Sequence, residues 1–175
     1  MLFFYSLDNE KRTYPRLWDM IAAQLPGLEV RKPNVWRAFQ RHCTSEASAR
    51  RALKFGNEPF LVVDQDLWGA LDSDSGDMNP AVGQYRGIRN ERYRHRIYLA
   101  KALAQGFERI GSSPLRLVVE AALLHETVHW VRHRVCAVNL IEDKFGEQGT
   151  AFEEEAYGRH ISLDAFRLVQ FRERH

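Results

Sequence analysis

The most regular pattern of apolar and polar positions in the chain runs through residues 113–134. Apolar residues there recur every three or four positions, which predicts a helix with one buried face. Ser113 suits the N-cap of this helix, and Pro114 suits its first turn. The predicted buried stripe consists of Leu117, Ala121, Leu124, Val128 and Val131.

Weaker patterns predict the elements around this helix. Helical spacing or capping residues favour two short helices, at residues 13–25 and 44–56. The apolar run FLVVD (60–64) predicts a strand, and HRIYLA (95–100) predicts a strand that leads into a helix closed by Gly111. We expect a first strand or a packed terminus within residues 1–11.

Two further segments complete the predicted organisation. Residues 73–87 are rich in Gly, Asp and Ser, so we expect mostly loop there. A last long helix is expected to begin near Gly149 and Thr150 and to continue through residues 151–171. The fold class is therefore predicted as α+β, helix-rich, with a small sheet beside the helix of residues 113–134. We expect one domain over residues 1–175, with residues 1–60 mainly helical and the functional core in residues 95–160.

Composition excludes several classes of protein. The 175 residues carry a formal net charge of +2 with 27% charged residues, too little imbalance to predict binding to nucleic acid or to a membrane surface. The N-terminus has neither the basic region nor the cleavage site of a secretory signal, and we expect no membrane span. Two cysteines, Cys43 and Cys136, cannot form a disulfide framework, although one bridge between them stays open.

His125 and His129 lie four residues apart in the middle of the predicted helix, with Glu126 beside the first. Side chains four apart share a helix face, so both imidazoles can direct a nitrogen at one point about 2 Å away, the distance that zinc requires. Glu126 lies slightly to one side, where a carboxylate can take a proton from a metal-bound water. The H-E-x-x-H spacing therefore predicts a catalytic Zn²⁺ site with Glu126 as general base.

A third ligand is expected from a carboxylate on another helix. The segment FEEEAYG offers three: Glu153, Glu154 and Glu155. Close packing of that helix near a metal requires a small residue one turn beyond the ligand. Ala156 fills this place for Glu153 and Gly158 fills it for Glu155, so Glu153 is favoured and Glu155 is the alternative.

His133 also follows the helical spacing, but it cannot share one ion with both other histidines. It lies eight residues past His125, which separates their backbones by roughly 12 Å along a helix. We expect His133 to be a surface residue or a residue that supports the site.

The segments LLHETVHW and GTAFEEEAYG together resemble the gluzincin branch of the zincin metallopeptidases, whose third ligand is a glutamate in an E-x-x-A helix. This resemblance implies a zincin-like fold and places the third ligand on Glu153. More narrowly, residues 95–160 resemble the type 3 metallopeptidase toxin family of bacteria. That resemblance implies an antibacterial effector that a type VI secretion system delivers into a target cell, with a protein or peptide substrate. It also implies two partners, a cognate immunity protein and a secretion-spike protein.

The zincin resemblance implies two further features of the site. A sheet edge beside the active helix binds the substrate as an added strand, and residues 96–100 or the strand at 60–64 could supply that edge. Zincins also use a Tyr, His or Arg to stabilise the oxyanion, for which Tyr157 and His160 are the candidates.

Two other functions are compatible with the same residues. A zinc amidase that acts on cell-wall peptides would share the chemistry and differ only in substrate. A non-catalytic zinc-binding module would need a closed set of four ligands, commonly rich in cysteine. Such a module is disfavoured because Cys136 lies seven residues past His129 and because Glu126 would have no purpose in it.

Overall fold

The structure is a computed structural model that describes residues 3–4, 11–64, 67–71, 78–80, 82–87, 91–136 and 148–161. The N-terminal part is mainly helical and includes α1 (Pro15–Asp19), α2 (Leu28–Arg31), α3 (Pro33–His42) and α4 (Glu46–Leu53). A π-helical turn, Met20–Gln24, extends α1 and confirms the helix predicted at residues 13–25. The Ser45 hydroxyl accepts a hydrogen bond from the Ser48 amide and caps α4, which ends at Leu53 rather than at Gly56.

Four strands form a mixed sheet in the order β1-β2-β6-β5. Its strands are β1 (Phe3–Phe4), β2 (Phe60–Asp64), β5 (Gly83–Tyr85) and β6 (Arg96–Ala100). The first three in this order are parallel, and β5 runs antiparallel to β6. Strands β3 (Trp68–Leu71) and β4 (Met78–Pro80) form a separate antiparallel pair. The strands at 60–64 and 96–100 are thus confirmed, as is the helix-rich α+β class.

Two expectations about the sheet need comment, and the second of them is wrong. Within residues 73–87, expected to be mostly loop, the described residues 78–80 and 82–87 include the strands β4 and β5, and residues 73–77 and 81 lie outside the described residues. Because β4 and β5 have only three residues each, neither is long enough for an alternation of apolar and polar positions to be recognised in the sequence. The strands expected to supply a substrate edge are interior strands of the described sheet, because β2 lies between β1 and β6, and β6 lies between β2 and β5. The outer strand on that side is β5.

Two helices follow β6 directly: α5 (Lys101–Ile110), which ends at a left-handed Gly111, and α6 (Ser113–Cys136). The predicted stripe of α6 is confirmed at Ala121, Leu124, Val128 and Val131, all of which are buried. Residues on other sides of α6, such as Val119, Leu123 and Trp130, are buried as well. Helix α6 is therefore a central helix, packed against β5 and β6 on one side and against α4, α5 and the last described helix on others.

The last described helix, α7 (Gln148–Tyr157), begins where predicted but ends much earlier than expected. Gly158 takes a positive φ of 75° directly after it, so the chain bends there and α7 does not extend past Tyr157. Residues 162–171 lie outside the described residues. Among the described residues, no helix is long and apolar enough to cross a bilayer. Cys43 is buried, whereas the Cys136 side chain lies outside the described part of the chain.

Candidate metal centre

His125, Glu126 and His129 lie in the middle of α6, where the helix passes between β5 and α7. The Nε2 atoms of the two histidines are 3.3 Å apart. The Glu126 carboxylate oxygen Oε1 lies 4.0 Å from His125 Nε2, and Glu126 is 8% exposed. The helical spacing has thus placed two imidazoles and one buried carboxylate around a common point.

Gly83 of β5 lies directly against the Glu126 side chain. A Cβ atom at position 83 would come 2.9 Å from Glu126 Cγ and 3.2 Å from its Oε1. The missing side chain therefore lets the outer strand of the sheet approach the carboxylate closely. Gly83 could not be recognised as part of the site from the sequence, since one glycine in a glycine-rich segment carries no distinguishing signal.

The three neighbouring glutamates of α7 point in different directions. Glu153 is fully buried and its Oε1 lies 2.7 Å from His125 Nδ1. Glu154 is exposed. Glu155, the alternative ligand, pairs with Arg41 and lies 2.9 Å from His42 Nε2, on the side of α3. Glu153 is the one of the three that the fold brings to the histidines.

Gly149 allows α7 to pack this closely on α6. A Cβ atom at position 149 would lie 2.3 Å from both Cδ2 and Nε2 of His125 and 2.5 Å from Cε1, over the face of the ring. From the sequence, the small residue that permits close packing was expected one turn after Glu153, at Ala156. The residue that meets His125 lies instead one turn before it, because side chains on a helix lean towards its N-terminus.

His125 is contacted at both ring nitrogens. His129 faces its Nε2, whereas Glu153 faces its Nδ1 and also accepts a hydrogen bond from the Ile161 amide at 2.6 Å. The two nitrogens of an imidazole point in divergent directions. Coordination of one ion by His125, His129 and Glu153 therefore requires the hydrogen bond between Glu153 and His125 to open.

The donor chemistry fits a zinc ion. Two imidazoles and one carboxylate form one of the ligand sets of catalytic zinc. Among the described residues, three side chains that can bind a metal lie close together: His125, Glu153 and His160. One donor atom from each lies within 4.8 Å of the other two. His129 is not part of this set, although it approaches His125 from the other side.

The two oxyanion candidates have different surroundings. The Tyr157 hydroxyl donates a hydrogen bond to Glu120 Oε1 at 3.2 Å. Burial, together with the nearby charge of Glu120, raises the pKa of Tyr157. Glu120 is itself buried on α6 and forms a salt bridge with Lys32 Nζ at 2.7 Å. His160, in contrast, lies beside Glu153, with its Nε2 3.7 Å from Glu153 Oε2.

His133 lies one turn past His129 and faces β5. Its Nδ1 is 2.7 Å from the Tyr85 hydroxyl, and this hydroxyl donates to the Arg94 carbonyl at 3.3 Å. Burial raises the pKa of Tyr85, so this hydroxyl stays protonated. The contact joins α6 to the outer strand of the sheet beyond the metal-binding residues.

Comparison with protein families decides the membership of this chain. The family described as metallopeptidase toxin 3 matches residues 10–158. The chain belongs to the metallopeptidase toxin 3 family. The match includes the N-terminal helices, for which the sequence motifs had shown no likeness, as well as β6, α6 and α7. Comparisons with curated proteins and with solved structures found no match.

Membership in the metallopeptidase toxin 3 family has direct consequences. It makes the chain a member of a family of metal-dependent peptidases, with a protein as the implied substrate. The family match ends at Gly158 and includes His125, Glu126, His129 and Glu153, but does not extend to His160.

Proposed function

We propose that this chain is a zinc-dependent endopeptidase of the gluzincin type. His125, His129 and Glu153 are the proposed protein ligands, and Glu126 is the proposed general base. The proposal rests on the 3.3 Å separation of the two histidine Nε2 atoms. Two nitrogens bound to one tetrahedral zinc at about 2.0–2.1 Å lie about 3.4 Å apart.

The chemistry follows from the surroundings of Glu126. A zinc ion held by His125, His129 and Glu153 would act as a Lewis acid and would lower the pKa of the attacking water. Glu126 accepts the proton of the attacking water and then delivers it to the leaving amine, as a general base and acid. Its position, 4.0 Å from His125 Nε2, is close to the metal-binding point without occupying it. Its burial beside Gly83 limits the competing water around the carboxylate.

Strand β5 is the proposed binding edge for the substrate, in place of the two strands first expected. The Ala100 amide donates to the Val82 carbonyl at 3.0 Å, so residues 82 and 100 form a hydrogen-bonded pair. Hydrogen-bonded and non-hydrogen-bonded pairs alternate along an antiparallel ladder. Gly83 and Tyr85 therefore occupy non-hydrogen-bonded positions, and their backbone N–H and C=O groups point away from β6. A peptide added along these residues would pass beside Glu126, because Gly83 contacts its side chain.

The proposed biological role follows from the toxin family. The chain acts as an antibacterial effector, delivered into a target cell by a type VI secretion system through a secretion-spike protein. A cognate immunity protein protects the producing cell. Metal dependence and the use of a protein substrate are common to the family, whereas the zinc ion, the delivery route and these two partners belong to the proposal.

The experiment combines metal content with activity. The purified protein should bind about one zinc ion per chain, and His125→Ala and His129→Ala should each lose most of it, because two ligands hold zinc weakly. Glu126→Gln should retain zinc and the fold while hydrolysis falls by ~100-fold to ~10,000-fold, since only the base is lost. Glu154→Gln, an exposed change on α7, serves as the matched control.

Two substrates separate the possible enzymes. Hydrolysis of an unfolded protein, absent in Glu126→Gln, would support the endopeptidase. Release of peptides from peptidoglycan without cleavage of unfolded protein would assign the site to an amidase instead. Full zinc content in both histidine variants, or wild-type turnover in Glu126→Gln, would refute the proposed centre.

A further inference from the structure

His160 lies beside Glu153 at the metal centre. Its Nε2 lies 3.7 Å from Glu153 Oε2, and one donor atom each from His125, Glu153 and His160 falls within 4.8 Å of the others. The rings of His160 and His125 are nearly parallel, at 18°, with centroids 6.1 Å apart. His160 thus adds a third donor atom to those of His125 and Glu153.

The backbone after α7 holds His160 in this place. Gly158, with its φ of 75°, turns the chain back at the end of the helix. The amide of Ile161, the next residue after His160, donates to Glu153 Oε2 at 2.6 Å. Glu153 therefore anchors the segment that carries His160. The side chains become more exposed in the order Glu153 (0%), His125 (13%) and His160 (30%).

We propose that His160 is a fourth protein ligand of the metal ion, beside His125, His129 and Glu153. This inference rests on the proposed zinc site and extends it beyond the residues of the family match. A catalytic zinc needs one position that water or substrate can take. His160, as the most exposed of the three clustered donors and the one carried on a bend, is the ligand that leaves this position when substrate binds.

This role differs from oxyanion stabilisation in a measurable way. A ligand contributes to metal affinity and to the number of imidazoles around the ion, even without substrate. A residue that only stabilises the oxyanion contributes to turnover and leaves metal affinity unchanged. Replacing His160 should therefore lower metal affinity if it is a ligand, and should lower turnover but not metal affinity if it stabilises the oxyanion.

The test measures metal binding without any substrate. X-ray absorption of the zinc-loaded wild-type protein should show three imidazole ligands, and His160→Ala should show two. Competition with a chelator should show zinc affinity more than ~100-fold weaker in His160→Ala, beyond the ~10-fold to ~100-fold loss of a residue that only orients a ligand. His133→Ala, which removes a histidine one turn beyond the site, should leave the affinity unchanged. At saturating zinc, His160→Ala should retain or exceed wild-type peptidase turnover, because it frees the open position.

Other results would overturn the inference. Two imidazoles in the wild-type protein, or unchanged zinc affinity in His160→Ala, would remove His160 from the ligands without any need for a folded variant. Unchanged affinity with a large loss of turnover would assign it to the oxyanion instead. If His160 proves not to be a ligand but His125→Ala and His129→Ala still lose zinc, the proposed peptidase site stands without His160. Zinc binding independent of both histidines would refute the peptidase site itself.

Discussion

The two faces of α7 carry the same side chain in opposite environments. Glu153 is fully buried against His125 and the Ile161 amide. Glu155, two residues later, is 34% exposed and contacts Arg41 and His42 of α3. Two residues along a helix rotate a side chain by about 200°, so one carboxylate faces the site and the other faces away. Direction on the helix, rather than residue type, separates the candidate ligand from a surface ion pair.

The largest expected effect tests this difference directly. Glu153→Gln keeps the size of the side chain but removes the anionic donor, so zinc affinity should fall by more than about 100-fold. Loss of a residue that only orients a ligand typically costs 10–100-fold, and loss of a ligand should exceed that range. Glu155→Gln, matched in chemistry and two residues away, should leave the affinity unchanged. Competition with a chelator measures both variants.

Two outcomes would break the comparison. A loss of only about 10-fold in Glu153→Gln would make Glu153 the partner that orients His125 through Nδ1, as carboxylates do for many metal-binding histidines. A zinc-poor Glu155→Gln beside a zinc-replete Glu153→Gln would reverse the assignment altogether.

A smaller effect is expected at Gly149, which lets the face of α7 that carries Glu153 approach α6. Gly149→Ala would place a Cβ 2.3 Å from the His125 ring, so α7 must shift outwards. We expect the free energy of unfolding to fall by about 1–3 kcal/mol, the usual cost of overpacking. Gly106→Ala is the control: its Cβ would meet nothing within 4 Å in the middle of α5, and it should stabilise the protein by up to about 1 kcal/mol.

Chemical denaturation of the two alanine variants measures the difference. Equal stability changes in both would show that α7 does not need the close approach at Gly149. A destabilised Gly149→Ala that also binds zinc less tightly would tie the helix packing to the metal site.

The smallest effect concerns His42 of α3, which contacts Glu155 on the outer face of α7. Burial lowers the pKa of His42 below its ordinary value, and the nearby charges of Arg132 and Arg41 add to this, against the opposing hydrogen bond from Gln148. The unfolded chain therefore binds this proton more readily than the folded protein. The stability that depends on neutral His42 is complete above about pH 6.5 and decreases as the pH falls through the lowered pKa.

The difference in stability between wild type and His42→Gln should therefore shrink as the pH falls from about 7.5 to about 5. The free energy of unfolding at each pH, measured for both proteins, gives this difference. A difference that grows towards acid pH would mean that protonated His42 forms a stabilising ion pair with Glu155.

The sequence predicted the parts of this molecule that depend on local interactions. The stop at Gly111 and the apolar period of α6 act within a few residues, so α5, α6 and the strands at 60–64 and 96–100 could be recognised. The helices α2 and α3 were not predicted from the sequence. The shared face of His125 and His129 follows from helical geometry alone. Strands of three residues and the end of α7 at Gly158 were missed, because pairing with a distant strand and a single left-handed glycine decide them.

The sequence by itself determined the helix-rich α+β class, the metallopeptidase toxin 3 resemblance and the H-E-x-x-H positions on one helix face. Only the tertiary structure decided which glutamate of α7 contacts His125, that β5 is the outer strand at Glu126, and that His160 rather than Tyr157 approaches the site. The physical reason is distance along the chain. Helix period and capping act over a few residues, whereas these contacts depend on how α6, α7 and the sheet pack together.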